Sequence, residues 1–157
     1  YDVTANAKKN YSSRMDSSGR KILEIYGTPI NDASTVYGKL ACARVVSILL
    51  REAGTQVGMH DGVGNLERAM LAWGFTEVAY ADMAPGDVIV WHKRFTIENG
   101  SIRFTTENNC SGGGDCHVGV YIGYGFSYDN DGKFGFPIRY PIYRVALRFK
   151  AAYRAPG

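Results

Sequence analysis

A chain of 157 residues with 45% hydrophobic and 21% charged side chains has the balance of one folded domain, enough to bury a single core and too little for two. Its net charge of +3 comes from Lys and Arg scattered without a dense basic block, which gives no ground for a nucleic-acid partner. No apolar run approaches the roughly 20 residues of a spanning helix, so no membrane span is expected. The chain opens on Tyr1 without a visible signal segment, which fits a processed secreted chain or a trimmed one.

The first forty residues are polar and turn-rich. Ile22, Leu23 and Tyr26 repeat at helical spacing and predict a helix over 19–26, closed by Gly27-Thr28-Pro29. A clearer helix is predicted over 41–53, where Cys42, Val45, Val46, Leu49 and Leu50 fall on one stripe and Gly54 is the stop. Asn65 to Trp73 reads as a second helix. Strands follow: Asp87 to Trp91 after Pro85-Gly86; Arg94 to Ile97 and Ile102 to Thr105 as a hairpin around Asn99-Gly100; His117 to Ile122; Phe126 to Asn130; and Tyr143 to Phe149. Helices first and an antiparallel sheet second is the α+β order, and neither a repeat nor a linker divides the chain.

Three cysteines are an odd count. Cys110 and Cys116 flank a Gly-rich loop and predict a local disulfide, while Cys42 stands alone as a free thiol. A disulfide implies an oxidising compartment. Cys42 falls in the first turn of its helix, where unpaired N–H groups and the helix dipole favour a thiolate. Set against this is the plainer role of a small buried hydrophobe. His117 opens a strand whose alternation places His117, Gly119 and Tyr121 on one face. A thiol at a helix start and an imidazole at a strand start are the two halves of a Cys–His pair.

Leu40-Ala41-Cys42-Ala43-Arg44-Val45-Val46, Met83-Ala84-Pro85-Gly86-Asp87-Val88-Ile89-Val90-Trp91 and His117-Val118-Gly119-Val120-Tyr121-Ile122-Gly123 resemble, in order, the three signature blocks of the NlpC/P60 and CHAP cell-wall hydrolases. The blocks span somewhat over half the chain. The resemblance implies a papain-like core of helices packed on an antiparallel sheet, and hydrolysis of amide bonds in peptidoglycan peptides without a cofactor. It implies Cys42 as nucleophile and His117 as base, in an extracytoplasmic, secreted or periplasmic protein read here as a monomer. Cys before His also separates the chain from the related lecithin:retinol acyltransferase-like enzymes, which look circularly permuted.

The resemblance puts a third polar member on the strand after the His strand, at Asp129. A three-residue loop Gly123-Tyr124-Gly125 would pair Ile122 with Phe126 and Gly119 with Asp129, bringing Asp129 to the His117 face; a two-residue loop would bring Asn130 there instead. The chain departs from NlpC/P60 in having Ala41-Cys42-Ala43 where that family usually has Asp-Cys-Ser, which puts γ-D-glutamyl specificity in doubt. It also departs in a longer stretch 93–116 holding the hairpin and the Cys loop, and residues 1–36 form a helical or loop extension to the single domain 1–157. Two other readings stand beside the hydrolase. One is a zinc set of Cys42, Cys110, Cys116 and His117, disfavoured by the long gap between the paired cysteines. The other is a non-catalytic wall-binding domain that kept the fold. His60 and His92 show no partner spacing and are read as solvated or structural.

Overall fold

The computed structural model describes residues 11–35, 41–104, 110, 116–131 and 136–157. Residues 1–10 of the extension, Leu40, Thr105, the Gly-rich stretch 111–115 and Gly132 lie outside the described residues. The chain begins with β1 (Tyr11–Met15), β2 (Lys21–Ile25) and the two-residue β3 (Thr28–Pro29), followed by a 3-10 turn at Ala33–Thr35. Then come α1 (Cys42–Glu52), α2 (Val63–Ala72), β4 (Thr76–Val78) and β5 (Val88–Lys93). The hairpin β6 (Phe95–Glu98) and β7 (Ser101–Phe104) precedes β8 (Cys116–Gly123), β9 (Phe126–Asp131), β10 (Phe136–Pro141) and β11 (Leu147–Arg154).

Every strand pairing is antiparallel, and the fold is α+β. The main sheet has the order β10-β9-β8-β5-β11-β4; β1-β2-β3 form a second sheet and β6-β7 a separate ribbon. Both helices pack on one face of the main sheet. Val45, Val46, Ile48, Leu49 and Leu50 of α1 and Leu66 and Met70 of α2 share a core with Val88, Val90, Val118, Val120, Tyr128, Ala151 and Tyr153. Alternation sends Ile89, Trp91, His117 and Asp129 to the other face, where they too are buried.

Ion pairs tie the layers at their edges. Arg44 on α1 bonds Asp32 at 2.6 Å and Asp61 at 2.7 Å, anchoring the helix start to the loops before and after it. Glu67 on α2 takes Lys150 at 2.6 Å and the hydroxyl of Tyr153. The Pro-Gly-Asp turn has a structural task of its own. Gly86, at φ 99°, donates its N–H to Tyr121 O at 2.8 Å, and the Asp87 carboxylate accepts from Ala84 N–H at 2.8 Å and from Arg154 Nε and Nη2 at 2.9 Å each.

Residues 19–26 do not form the expected helix. Lys21–Ile25 is β2, paired with β1 from Tyr11↔Ile25 to Met15↔Lys21. Gly19 and Gly27, at φ 84° and 75°, turn the chain at each end and leave seven residues between them, short for a stable helix. The buried pair Ile22 and Ile25, three apart, imitates a helical stripe. The helical reading of the 1–36 extension is thereby corrected to strand and turn over its described part. The last strand is also displaced. It runs over Leu147–Arg154 rather than Tyr143 to Phe149, because pairing with β5 starts at Leu147 opposite Lys93 and continues through a bulge to Tyr153 opposite Val88, while Tyr143 and Val145 are exposed. The short edge strands β4 and β10 carry no clear period, and β10 holds Pro137 and Pro141, which suit an edge.

Candidate active site

Cys42 is the first residue of α1, as the stripe predicts, and is partly exposed, whereas its neighbours Ala41 and Ala43 are fully buried. The His117 ring and the Val118 N–H are near enough to its sulfur to favour the thiolate. His117 sits opposite Trp91 in the β5–β8 register, and the two rings stack with centroids 5.6 Å apart. Its Nε2 lies 2.7 Å from Asp129 Oδ1, which leaves Nδ1 as the ring nitrogen for Cys42.

Asp129 comes to this face by a route the loop length alone does not give. The β8–β9 turn has two residues, Tyr124 and Gly125, at φ 55° and 80°, not the three expected. By itself that turn would have brought Asn130 to the His117 face. A bulge at Ile122 shifts the register by one, so that Tyr121 pairs with Ser127 and Val120 with Tyr128. Gly119 consequently lies against Asp129: a Cβ on it would come within 2.6 Å of Asp129 Cβ. Only glycine admits that approach. Asn130 is buried on the alternate, helix-facing side with Tyr128.

The carboxylate of Asp129 is the most heavily bonded group of the site. Besides His117 it accepts two bonds from Arg144, at 3.0 and 2.8 Å, and one from Ser127 Oγ at 2.5 Å. The guanidinium also donates to Ser127 Oγ at 2.8 Å and lies over the Trp91 and Tyr140 rings, 5.0 and 4.6 Å from their centroids. Sequence reasoning missed Arg144, Ser127 and Trp91. Ser127 had a signal, since it stands two residues before Asp129 on the same strand face. Trp91 lay in a quoted block, but its cross-strand register was not legible. Arg144 sits in residues read as strand, and nothing local marks it.

The charges are mutually reinforcing. Burial disfavours the Cys42 thiolate, but the His117 hydrogen bond and charge, with help from Lys93 and the Val118 N–H, hold the thiol below its ordinary value. Burial also disfavours imidazolium, yet Asp129 and Cys42 raise His117 to about 9. Asp129 is held low, to about 2: burial opposes ionisation, and His117 and Arg144 outweigh it. The shifts run in the direction of a thiolate–imidazolium pair backed by a carboxylate.

Cys110 and Cys116 form a disulfide, with Cα atoms 5.4 Å apart. The disfavoured zinc set of Cys42, Cys110, Cys116 and His117 is not gathered among the described residues, where Cys110 and Cys116 are joined and His117 is turned to Asp129. Among the described residues the group of potential ligands is His92, Cys110 and Cys116, so His92 has close partners that its spacing did not show. His60 Nε2 lies 2.9 Å from Val57 O, a local structural contact. No helix of the described residues is long and apolar enough to cross a membrane. No protein-family model matches the chain, and no curated protein or solved structure matches it significantly.

Proposed function

We propose that this chain is a papain-like cysteine hydrolase of the NlpC/P60 or CHAP kind that cleaves amide bonds in peptidoglycan peptides outside the cytoplasm. The observation that carries the reading is the Cys42 thiol at a helix start beside a buried His117 that favours its thiolate and whose Nε2 is 2.7 Å from Asp129. The amide substrate class rests on the resemblance of the three sequence blocks, and the extracytoplasmic setting on that resemblance and the disulfide.

The Cys42 thiolate attacks the carbonyl carbon, and the oxyanion forms beside the unpaired N–H groups of the α1 start, that of Cys42 itself included. His117, protonated in the resting pair, gives its proton to the leaving amine as the tetrahedral intermediate collapses to a thioester. In the second half His117 takes a proton from water, whose oxygen attacks the thioester, and keeps it as the Cys42 sulfur departs as thiolate, which restores the resting pair. Asp129 keeps the imidazole turned with Nδ1 toward the sulfur and stabilises its charge.

Purified peptidoglycan digested with the protein and read by mass spectrometry tests the reading. New amine and carboxyl termini are expected with the wild type and none with Cys42→Ala, which removes the nucleophile but little volume. Turnover should fall by roughly 10⁶-fold, the scale on which a missing nucleophile acts. Near-wild-type cleavage by Cys42→Ala would sink the mechanism. Binding to the wall without cleavage by either protein would favour the wall-binding domain.

A further inference from the structure

The helix-facing side of β8 holds a second cluster that the thiol–imidazole pair does not use. Cys116, the first residue of β8, faces His92 in the β5–β8 register, and its sulfur lies 3.6 Å from His92 Nδ1. One donor atom each from His92, Cys110 and Cys116 lie within 4.8 Å of one another, and all three residues are buried. Gly64 lets α2 pack directly on the Cys110 backbone: a Cβ there would come within 2.9 Å of the Cys110 carbonyl oxygen.

Two thiolates and an imidazole are a zinc-type donor set. A tetrahedral ion with sulfur at about 2.3 Å and nitrogen at about 2.0–2.1 Å holds those two atoms about 3.6 Å apart, which is the separation between Cys116 Sγ and His92 Nδ1. We propose that this cluster is a redox-gated site for a thiophilic divalent cation of the zinc type, bound by Cys110, Cys116 and His92 when the disulfide is reduced and closed when it is formed.

The chemistry balances with a dithiol as reductant. It delivers two electrons and two protons, becoming a disulfide itself while Cys110 and Cys116 become thiols. On binding the ion, both thiols release their protons to solvent, and two metal–sulfur bonds and one metal–nitrogen bond form. Three protein donors leave the fourth position for water. Because Cys116 adjoins His117, disulfide and metal are alternative ways of tying down the same strand start. The inference is independent of what Cys42 does.

The test uses the full chain carrying Cys42→Ala, so that the remaining thiol cannot contribute, reduced and freed of reductant under anaerobic conditions. Titration with Co²⁺ should give one equivalent bound with thiolate-to-cobalt absorption in the near ultraviolet, and Zn²⁺ should displace it. The oxidised protein should show neither. His92→Gln should weaken binding by at least the roughly tenfold that loss of even an outer partner of a metal ligand costs, and Cys110→Ser should lose about half the thiolate band. Equal Co²⁺ affinity in the oxidised and reduced proteins would overturn the proposal. So would reduced protein without a thiolate band, or a natively folded His92→Gln that binds as tightly as its parent. If His92→Gln does not fold, the band of Cys110→Ser decides, an undiminished band counting against the site.

Discussion

Asp87 and Asp129 are buried alike, at 2% and 1% exposure, and each accepts two bonds from one arginine, Arg154 in the first case and Arg144 in the second. Asp87 spends its remaining capacity on the Ala84 N–H and so closes the turn that launches β5. Asp129 spends its own on Ser127 and on the ring of His117. The same carboxylate–guanidinium device therefore fixes backbone in one place and a titrating side chain in the other. What separates them is the third partner, and only a partner that gains and loses a proton turns the device into one that can serve a reaction.

The sharpest way to break the comparison is to neutralise each carboxylate in turn. Asp129→Asn keeps the size but loses the charge that orients and stabilises imidazolium, and turnover on a cleavable amide should fall by about 10⁴-fold, while Cys42 still reacts with iodoacetamide. Full activity in that variant would remove Asp129 from the mechanism. Asn130→Ala is its control, since Asn130 lies on the opposite strand face; a large loss there with none in Asp129→Asn would exchange the two assignments.

The pH dependence sharpens the same contrast. Iodoacetamide labelling of Cys42 should reach its half-maximal rate below the ordinary thiol value of 9.0. Hydrolysis should fall on the alkaline side as His117 loses its proton near about 9, because the leaving amine then lacks an acid. His117 is raised above its ordinary 6.5, so its contribution to stability is full below that value and is lost as pH rises through about 9. Asp129 is depressed, so its contribution is full above 3.8 and is lost as pH falls toward about 2. Asp129→Asn should flatten the alkaline loss of stability, measured by chemical denaturation across that range; an unchanged profile would count against the coupling.

Smaller effects are expected where only packing or a turn is touched. Gly119→Ala drives a methyl against Asp129 Cβ and should cost about 1–3 kcal/mol of unfolding free energy, the usual range for overpacking. Turnover should fall with it, because the displaced group is the carboxylate. Asp87→Asn should cost about 1–3 kcal/mol through a weakened buried hydrogen-bond set, with the pH midpoint of Cys42 labelling unmoved. A shifted midpoint would mean that the two carboxylates are not separate devices.

Much of this was local enough to be legible in the chain itself. The apolar stripe of α1 put Cys42 at a helix start, and Asn99-Gly100 marked the β6–β7 turn, where both residues do take positive φ. Strand alternation grouped His117 with Gly119. These features depend on neighbours within a turn or a strand, so residue order is sufficient to state them. Tertiary contacts decided the rest. Two glycine turns and pairing with β1 made a strand of Lys21–Ile25, inside the stretch whose spacing is helical. A bulge at Ile122 brought Asp129 to His117 although the turn has two residues, and a register shift is a property of the pair of strands, not of either one. Arg144 reaches Asp129 across 15 positions, and His92 reaches Cys116 across 24, through packing of segments that carry no mark of each other in sequence.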